Sequence, residues 1–300
     1  MSDARGLYRK PLKSWTQEER EVVRQAYQSC FDKLHGQVSE AEERGMKGMW
    51  KEHCGFFMEP RALMEGLRGM REMLAQEPSE DGDERHADVE DETEEAPWTI
   101  TPPDSTDAPM MHSPLNTTPL PDAYLLTFTP LFLLRHPALS YPSYRRATSN
   151  TSLHRLAPGC TLAPTRSLYS FFAAHSATPP ILLAASDILD PSTGPALLAH
   201  VCDLLGLDKE KLKWSWNPAT EEEVSKMPDV AVLMTKCLTA SSGVVEGKGG
   251  DESVVVEEEV VKWRREFGER EARVLEEWVR EGEGDWMWLW ERRLRVPGSE

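Results

Sequence analysis

The residues best placed to grip a ligand are Arg135, His136, Pro137 and, eight positions beyond the arginine, Ser143. The apolar run Leu131–Leu134 precedes them and reads as a buried strand that delivers a guanidinium to the start of a helix. In open parallel α/β sheets, ligands bind outside the carboxyl ends of strands. Pro137 suits the first helical turn, where its missing N–H costs nothing. Arg135 can hold a phosphate through two parallel charge-assisted hydrogen bonds, with Ser143 donating from the helix. The same spacing also suits a plain strand-to-helix junction whose arginine pairs with one of the chain's many carboxylates.

A second constellation is Lys51-Glu52-His53. On a strand, positions i and i+2 share a face, so Lys51 and His53 point one way while Trp50 and Glu52 point the other. A histidine beside a fixed cation can serve as a general base with an electrostatic stabiliser; a surface pair without a role has the same spacing. Asp187, after the apolar run Ile181–Ala185, can orient a ligand or cap the following turn, whereas His136 and His175 read as satisfied structural histidines. The sequence contains no Ser/His/Asp elbow, zinc-binding His-Glu-x-x-His helix, EF-hand loop or Gly-x-x-x-x-Gly-Lys-Ser/Thr phosphate loop. The segment from Gly282 to Trp286 fits no phosphate-cradling pattern.

These groups need elements to carry them. Ser14 with Gln17 and Thr16 with Glu19 form two overlapping capping boxes at the start of a helix. Val22, Val23, Ala26, Tyr27, Phe31 and Leu34 continue it at helical spacing. Gly45 to Cys54 reads as a strand, and Pro60 opens a helix carrying Leu63, Leu67 and Met70. Residues 77–97 are acidic with almost nothing to bury, so ordering them is not repaid. The Pro/Thr/Ser-rich tract continues this expected disordered insertion to 118, and 241–253, with four glycines, reads as a flexible loop. Between and beyond these, Pro121–Phe128 reads as a short helix and Thr165–His175 as another. Ile181–Ala185 reads as a strand buried on both faces. Pro191–Leu205 reads as a helix ended by Gly206, Val254–Arg280 as a further helix, and the aromatic segment after Trp286 as a helix docked on the core. Alternating helices and strands predict a single α/β layered domain over 1–300.

Thirty-four Lys plus Arg against 51 Asp plus Glu give a net charge of −17. That field disfavours nucleic-acid backbones and anionic membranes as partners, so an anionic ligand needs a locally basic pocket. Arg135, His136, Arg145 and Arg146 are the densest such cluster away from the termini. The five cysteines, at 30, 54, 160, 202 and 237, never show Cys-x-x-Cys spacing. Neither a metal site nor a disulfide framework is expected, and a reducing, cytoplasmic compartment is. No apolar run approaches the roughly 18 residues of a membrane-spanning helix, and the polar start is no signal peptide. The sequons at Asn116 and Asn150 then read as chance matches. Nothing in the sequence sets an oligomeric state.

Taken together, the motifs resemble a known family. Arg135-His136-Pro137 with Ser143 resembles the Arg-Asn-Pro…Ser element by which sulfotransferases hold the 3′-phosphate of PAPS (3′-phosphoadenosine 5′-phosphosulfate). Lys51-Glu52-His53 resembles their Lys-Thr-His strand. The stretches Trp50–Pro60, Leu120–Asp122, Phe132–Tyr144 and Leu205–Asp208 are similar to sulfotransferase-like P-loop proteins of filamentous fungi. The resemblance covers roughly 45–70 and 119–295. It implies a P-loop NTPase-like parallel sheet flanked by helices and sulfuryl transfer from PAPS to a small-molecule hydroxyl, in fungal secondary metabolism. It further implies His53 as base, Lys51 on the transferring group, and Arg135 and Ser143 on the 3′-phosphate. The family also begins with a strand and a loop for the 5′-phosphosulfate, which the roughly 50 residues before His53 do not supply. The chain therefore reads as N-terminally truncated relative to the family. An inactive binding or scaffold protein, or a fragment, is the alternative, and a different group transfer on the same scaffold a third.

Overall fold

The computed structural model describes residues 7, 11–70, 98–102, 111–148, 151–244 and 254–296. The acidic stretch 77–97, residues 103–110, Asn150 and most of the 241–253 loop lie outside the described residues. In chain order the longer elements are α1 (Gln17–Glu43), α2 (Pro60–Gly66), β1 (Leu131–Leu134), α3 (Pro137–Ala147), α4 (Ala163–His175), β2 (Ile181–Ala184), α5 (Gly194–Leu205), α6 (Asp229–Thr239), α7 (Val256–Phe267) and α8 (Glu269–Trp290). The described residues form an α/β structure, mostly helical, with a small parallel sheet. Contacts divide the chain into two compact units, one of residues 1–129 and 152–179, the other of 130–151 and 180–300.

In the first unit, α1 starts at the Thr16 capping box, with Glu19 N–H donating to Thr16 Oγ1 at 3.2 Å and Thr16 N–H to Glu19 Oε2 at 2.9 Å. The second box, at Ser14, does not form. Leu12–Ser14 is a 3-10 turn in which the Ser14 hydroxyl donates to the Pro11 carbonyl instead. Val23 and Phe31 are buried on the helix, whereas Val22 faces solvent. The helix ends at Gly45, φ +62°, with Met46 N–H on the Ala41 carbonyl and Gly45 N–H on the Glu42 carbonyl. This Schellman closure favours glycine because only glycine adopts the left-handed conformation without steric cost.

The strand expected over Gly45–Cys54 does not form. Among the described residues it has no ladder partner, and Met46, Met49 and Trp50 are exposed, so no face is buried to hold it in a sheet. Conversely, part of the tract expected to be solvated is core. Trp98 packs edge-on to Trp15, centroids 5.9 Å apart, in a cluster with Leu7, Leu12 and Val23. Asn116 and Thr118 are buried in a tight hydrogen-bonded turn. Asn116 Nδ2 donates to the Leu120 carbonyl and to Asp122, so this asparagine serves the fold.

In the second unit, β1 and β2 pair in parallel, from Leu131↔Ile181 to Leu134↔Ala184. All of β2 is buried, as its continuous apolar run predicts, while Leu133 on β1 is 60% exposed. Ile181 and Leu183 pack with Leu197 and Val201 of α5, which Gly206 ends in the left-handed conformation. The single helix expected over 254–280 is two, broken at Gly268 (φ 84°, ψ 168°); the second runs on through the aromatic segment to Trp290. Trp263 and Trp278 are fully buried on this hairpin, and Gly282 lets α8 approach Tyr141 of α3 closely.

Candidate active site

At the end of β1 the chain passes from fully buried Leu134 through Arg135 into α3, with Pro137 at its first position. His136 caps that helix: its Nδ1 accepts from Ala138 N–H at 3.1 Å, and its carbonyl accepts from Leu139 N–H and Ser140 N–H. Pro137 has no N–H, so every amide of the first turn is satisfied and the helix end is closed to an anion.

Of the basic cluster, Arg145 forms a fork with Glu271 at 2.7 and 2.8 Å, and Arg146 one with Glu266 at 2.6 and 2.7 Å. These pairs line a cavity of about 390 Å³ with Phe267, and their charges cancel. They correct the expectation of a four-membered basic pocket, because opposing acids on α7 and α8 take up two of its arginines. Arg135 differs. Among the described residues it meets no carboxylate, and its Nε is buried without a hydrogen-bond partner. Among the described residues, then, no neighbouring acid neutralises this arginine as the plain junction reading requires. Ser143 is exposed on α3, about 9 Å along the axis from Pro137 at 1.5 Å per residue.

Lys51 and His53 belong to the first unit, and Arg135 and Ser143 to the second. The structure brings Lys51 Nζ to 3.4 Å from His53 Nε2. It does so without the strand. His53 has extended backbone (φ −89°, ψ 127°), which alternates side chains as a strand does. Trp50 turns away to donate to Gln37, and Glu52 accepts from the His53 backbone N–H. His53 keeps solvent contact, yet its pKa is lowered, first by desolvation and then by the Lys51 charge, against an opposing pull from Glu52. The imidazole is thereby biased toward its neutral, proton-accepting form. The next residues anchor it. Burial raises the Cys54 pKa, and a bond with Thr165 of α4 partly offsets that rise; Gly55 lies so close to the Pro158 carbonyl that a Cβ would clash. Glu59, fully buried, caps α2 by accepting from Arg61 and Ala62 N–H and also accepts from Trp98 N–H.

Asp187 is structural, paired with Arg293 at 2.9 Å. His175 packs at a tilt of 47° against Phe171, ring centroids 5.0 Å apart. Sequence reasoning missed Trp286, whose ring lies 4.4 Å from that of His136, and Glu59, whose Glu-Pro start was a legible helix cap. Among the described residues no group of three His, Cys, Asp or Glu side chains could hold a metal, and no helix is long and apolar enough to cross a membrane.

The chain is 32% identical over 302 residues to "Sulfotransferase ppzF" of Metarhizium majus (strain ARSEF 297), covering 95% of this chain and 81% of that protein. It is 32% identical over 299 residues to "Sulfotransferase ppzF" of Metarhizium rileyi (strain RCEF 4871), covering 94% and 80%. No family model and no solved structure matches it. At this identity and coverage the chain belongs to the family of these sulfotransferases.

Proposed function

We propose that the protein transfers a sulfuryl group from PAPS to the hydroxyl of a small molecule, in secondary metabolism, on a P-loop NTPase-like scaffold. The observation that carries this reading is Arg135, a guanidinium with a buried, unpartnered Nε at the carboxyl end of a parallel strand. A buried donor left unpaired costs roughly 1–3 kcal/mol, a cost that a bound anion removes. Arg135 and Ser143 would hold the 3′-phosphate. When bound, PAPS supplies the sulfuryl group and the phosphate leaving group.

His53 Nε2 would take the proton of the acceptor hydroxyl as that oxygen bonds to sulfur, and Lys51 would offset charge on the bridging oxygen as its bond to sulfur breaks. As in phosphoryl transfer, the protein's part is positioning and electrostatics. The 3.4 Å approach of Lys51 to Nε2 directs the ammonium at the lone pair the base must use. Lys51 therefore has to turn toward the transferring group before His53 can accept a proton. The same contact favours, as a second reading, a protein that binds PAPS without transferring from it.

Calorimetric titration with 3′-phosphoadenosine 5′-phosphate tests the grip. Heat is expected for the wild type and for His53→Ala, with turnover lost in the latter. A folded protein giving no heat at millimolar ligand overturns the proposal. Heat without turnover on any hydroxyl acceptor selects the second reading.

A further inference from the structure

We propose that His136 is a positioning residue of the ligand grip, its imidazole closing the N-terminus of α3 so that Arg135 is the group presented to the anion. The inference rests on the reading of Arg135 as a ligand group. His136 is 5% exposed, and its ring is constrained on two sides. Nδ1 accepts from Ala138 N–H, and the ring packs at 59° against Trp286 of α8, which itself stacks on Trp290 at 5.1 Å. Accepting at Nδ1 requires that nitrogen to be unprotonated.

Two consequences follow for Arg135. With the Ala138, Leu139 and Ser140 amides all directed onto His136, the helix end offers no competing anion site. The backbone on either side of Arg135 is also held, by the pairing of Leu134 with Ala184 before it and by the His136 cap after it. A guanidinium on so restrained a backbone loses less freedom when it closes on a phosphate.

The test uses the full chain, 3′-phosphoadenosine 5′-phosphate titration, and hydrogen exchange of the α3 first-turn amides. His136→Ala removes cap and ring; His136→Asn restores a capping oxygen without the ring. His136→Ala is expected to weaken binding about five-fold, equivalent to roughly 1 kcal/mol, and to speed amide exchange over residues 138–140. His136→Asn is expected to stay within about two-fold of wild type, since one good cap replaces another.

Wild-type affinity in folded His136→Ala overturns the inference, as does His136→Asn binding as weakly as His136→Ala. Should His136→Ala not fold, His136→Asn decides alone: affinity retained supports the inference and affinity lost overturns it. No heat with wild type removes the cofactor reading and this inference together. Heat lost in Arg135→Ala but unchanged in His136→Ala removes this inference only.

Discussion

Arg135→Met separates a ligand group from a structural one by the sign of its effect on stability. In the unliganded protein the Arg135 Nε is buried without a partner, and no carboxylate among the described residues compensates the guanidinium. Methionine keeps much of the apolar stem and removes the unpaired donor. Relief of that desolvation, roughly 1–3 kcal/mol for a buried unsatisfied group, is partly offset by lost packing, so a net gain of about 1 kcal/mol is expected. For a chain of 300 residues that gain raises the melting temperature by about 1–2 °C. With ligand the sign reverses. Losing a charged hydrogen bond costs about 1.5–3 kcal/mol, or roughly 10–150-fold in affinity for 3′-phosphoadenosine 5′-phosphate. Arg135→Lys should fall between, because an ammonium cannot form the two parallel bonds of a guanidinium. Melting scans with and without ligand, beside calorimetric titration, read both signs. A fall of several degrees for unliganded Arg135→Met would refute the reasoning, since it would mean that the arginine stabilises the fold itself.

The other predictions concern His53 and the frame of the fold. The His53 pKa lies below 6.5, so its stabilising contribution is complete above pH 6.5 and is lost as pH falls through the folded value. Lys51→Met removes one of the two lowering causes and should move the imidazole titration, followed by NMR, to higher pH; an unchanged or lower midpoint contradicts the assigned cause. Gly268→Ala places a Cβ on a backbone at φ 84°, ψ 168° and should destabilise by about 1–3 kcal/mol in denaturant titration, whereas a neutral result denies that the α7–α8 turn needs glycine. Asn116→Ala leaves the Leu120 carbonyl and Asp122 short of a donor in a buried turn and should cost at least about 2 kcal/mol; loss below 0.5 kcal/mol, roughly the scale of an exposed substitution, would count against the turn's role.

What was legible in the sequence, and what was not, follows the range of the interactions involved. Thr16 with Glu19, Pro137 at its helix start and Gly206 at its helix end act across one turn, and each forms where its local chemistry places it. The continuous apolar run of β2 is buried at every position because no polar side chain interrupts it. Composition misled over Trp98, where an acidic surrounding suggested solvent. One large indole meeting Trp15 and Leu12 outweighs a polar neighbourhood, and that meeting spans more than 80 residues of sequence.

The candidate site shows the same division. The side-chain ends of Lys51 and His53 meet, as their spacing allows, with His53 in extended backbone and the expected strand not formed. Alternation needs only extended φ and ψ; a strand also needs a partner, and two-residue spacing says nothing about partners. For the four cations of the basic cluster the spacing gives no ranking at all. The fork of Arg145 with Glu271 joins residues 126 apart and that of Arg146 with Glu266 residues 120 apart, while His136 turns inward as a cap. Only after those pairings are made does Arg135 stand apart as the cation with a buried nitrogen still unpaired. On the proposed function, its selection as the ligand group is a tertiary property, produced by what α7 and α8 supply to its neighbours. Glu266→Gln should expose that dependence. It would free Arg146 to compete for the anion, so phosphate-containing ligands should bind with weaker discrimination between 3′- and 5′-phosphorylated adenosine. Unchanged discrimination in Glu266→Gln would mean that the pairing of Arg146 has no part in isolating Arg135.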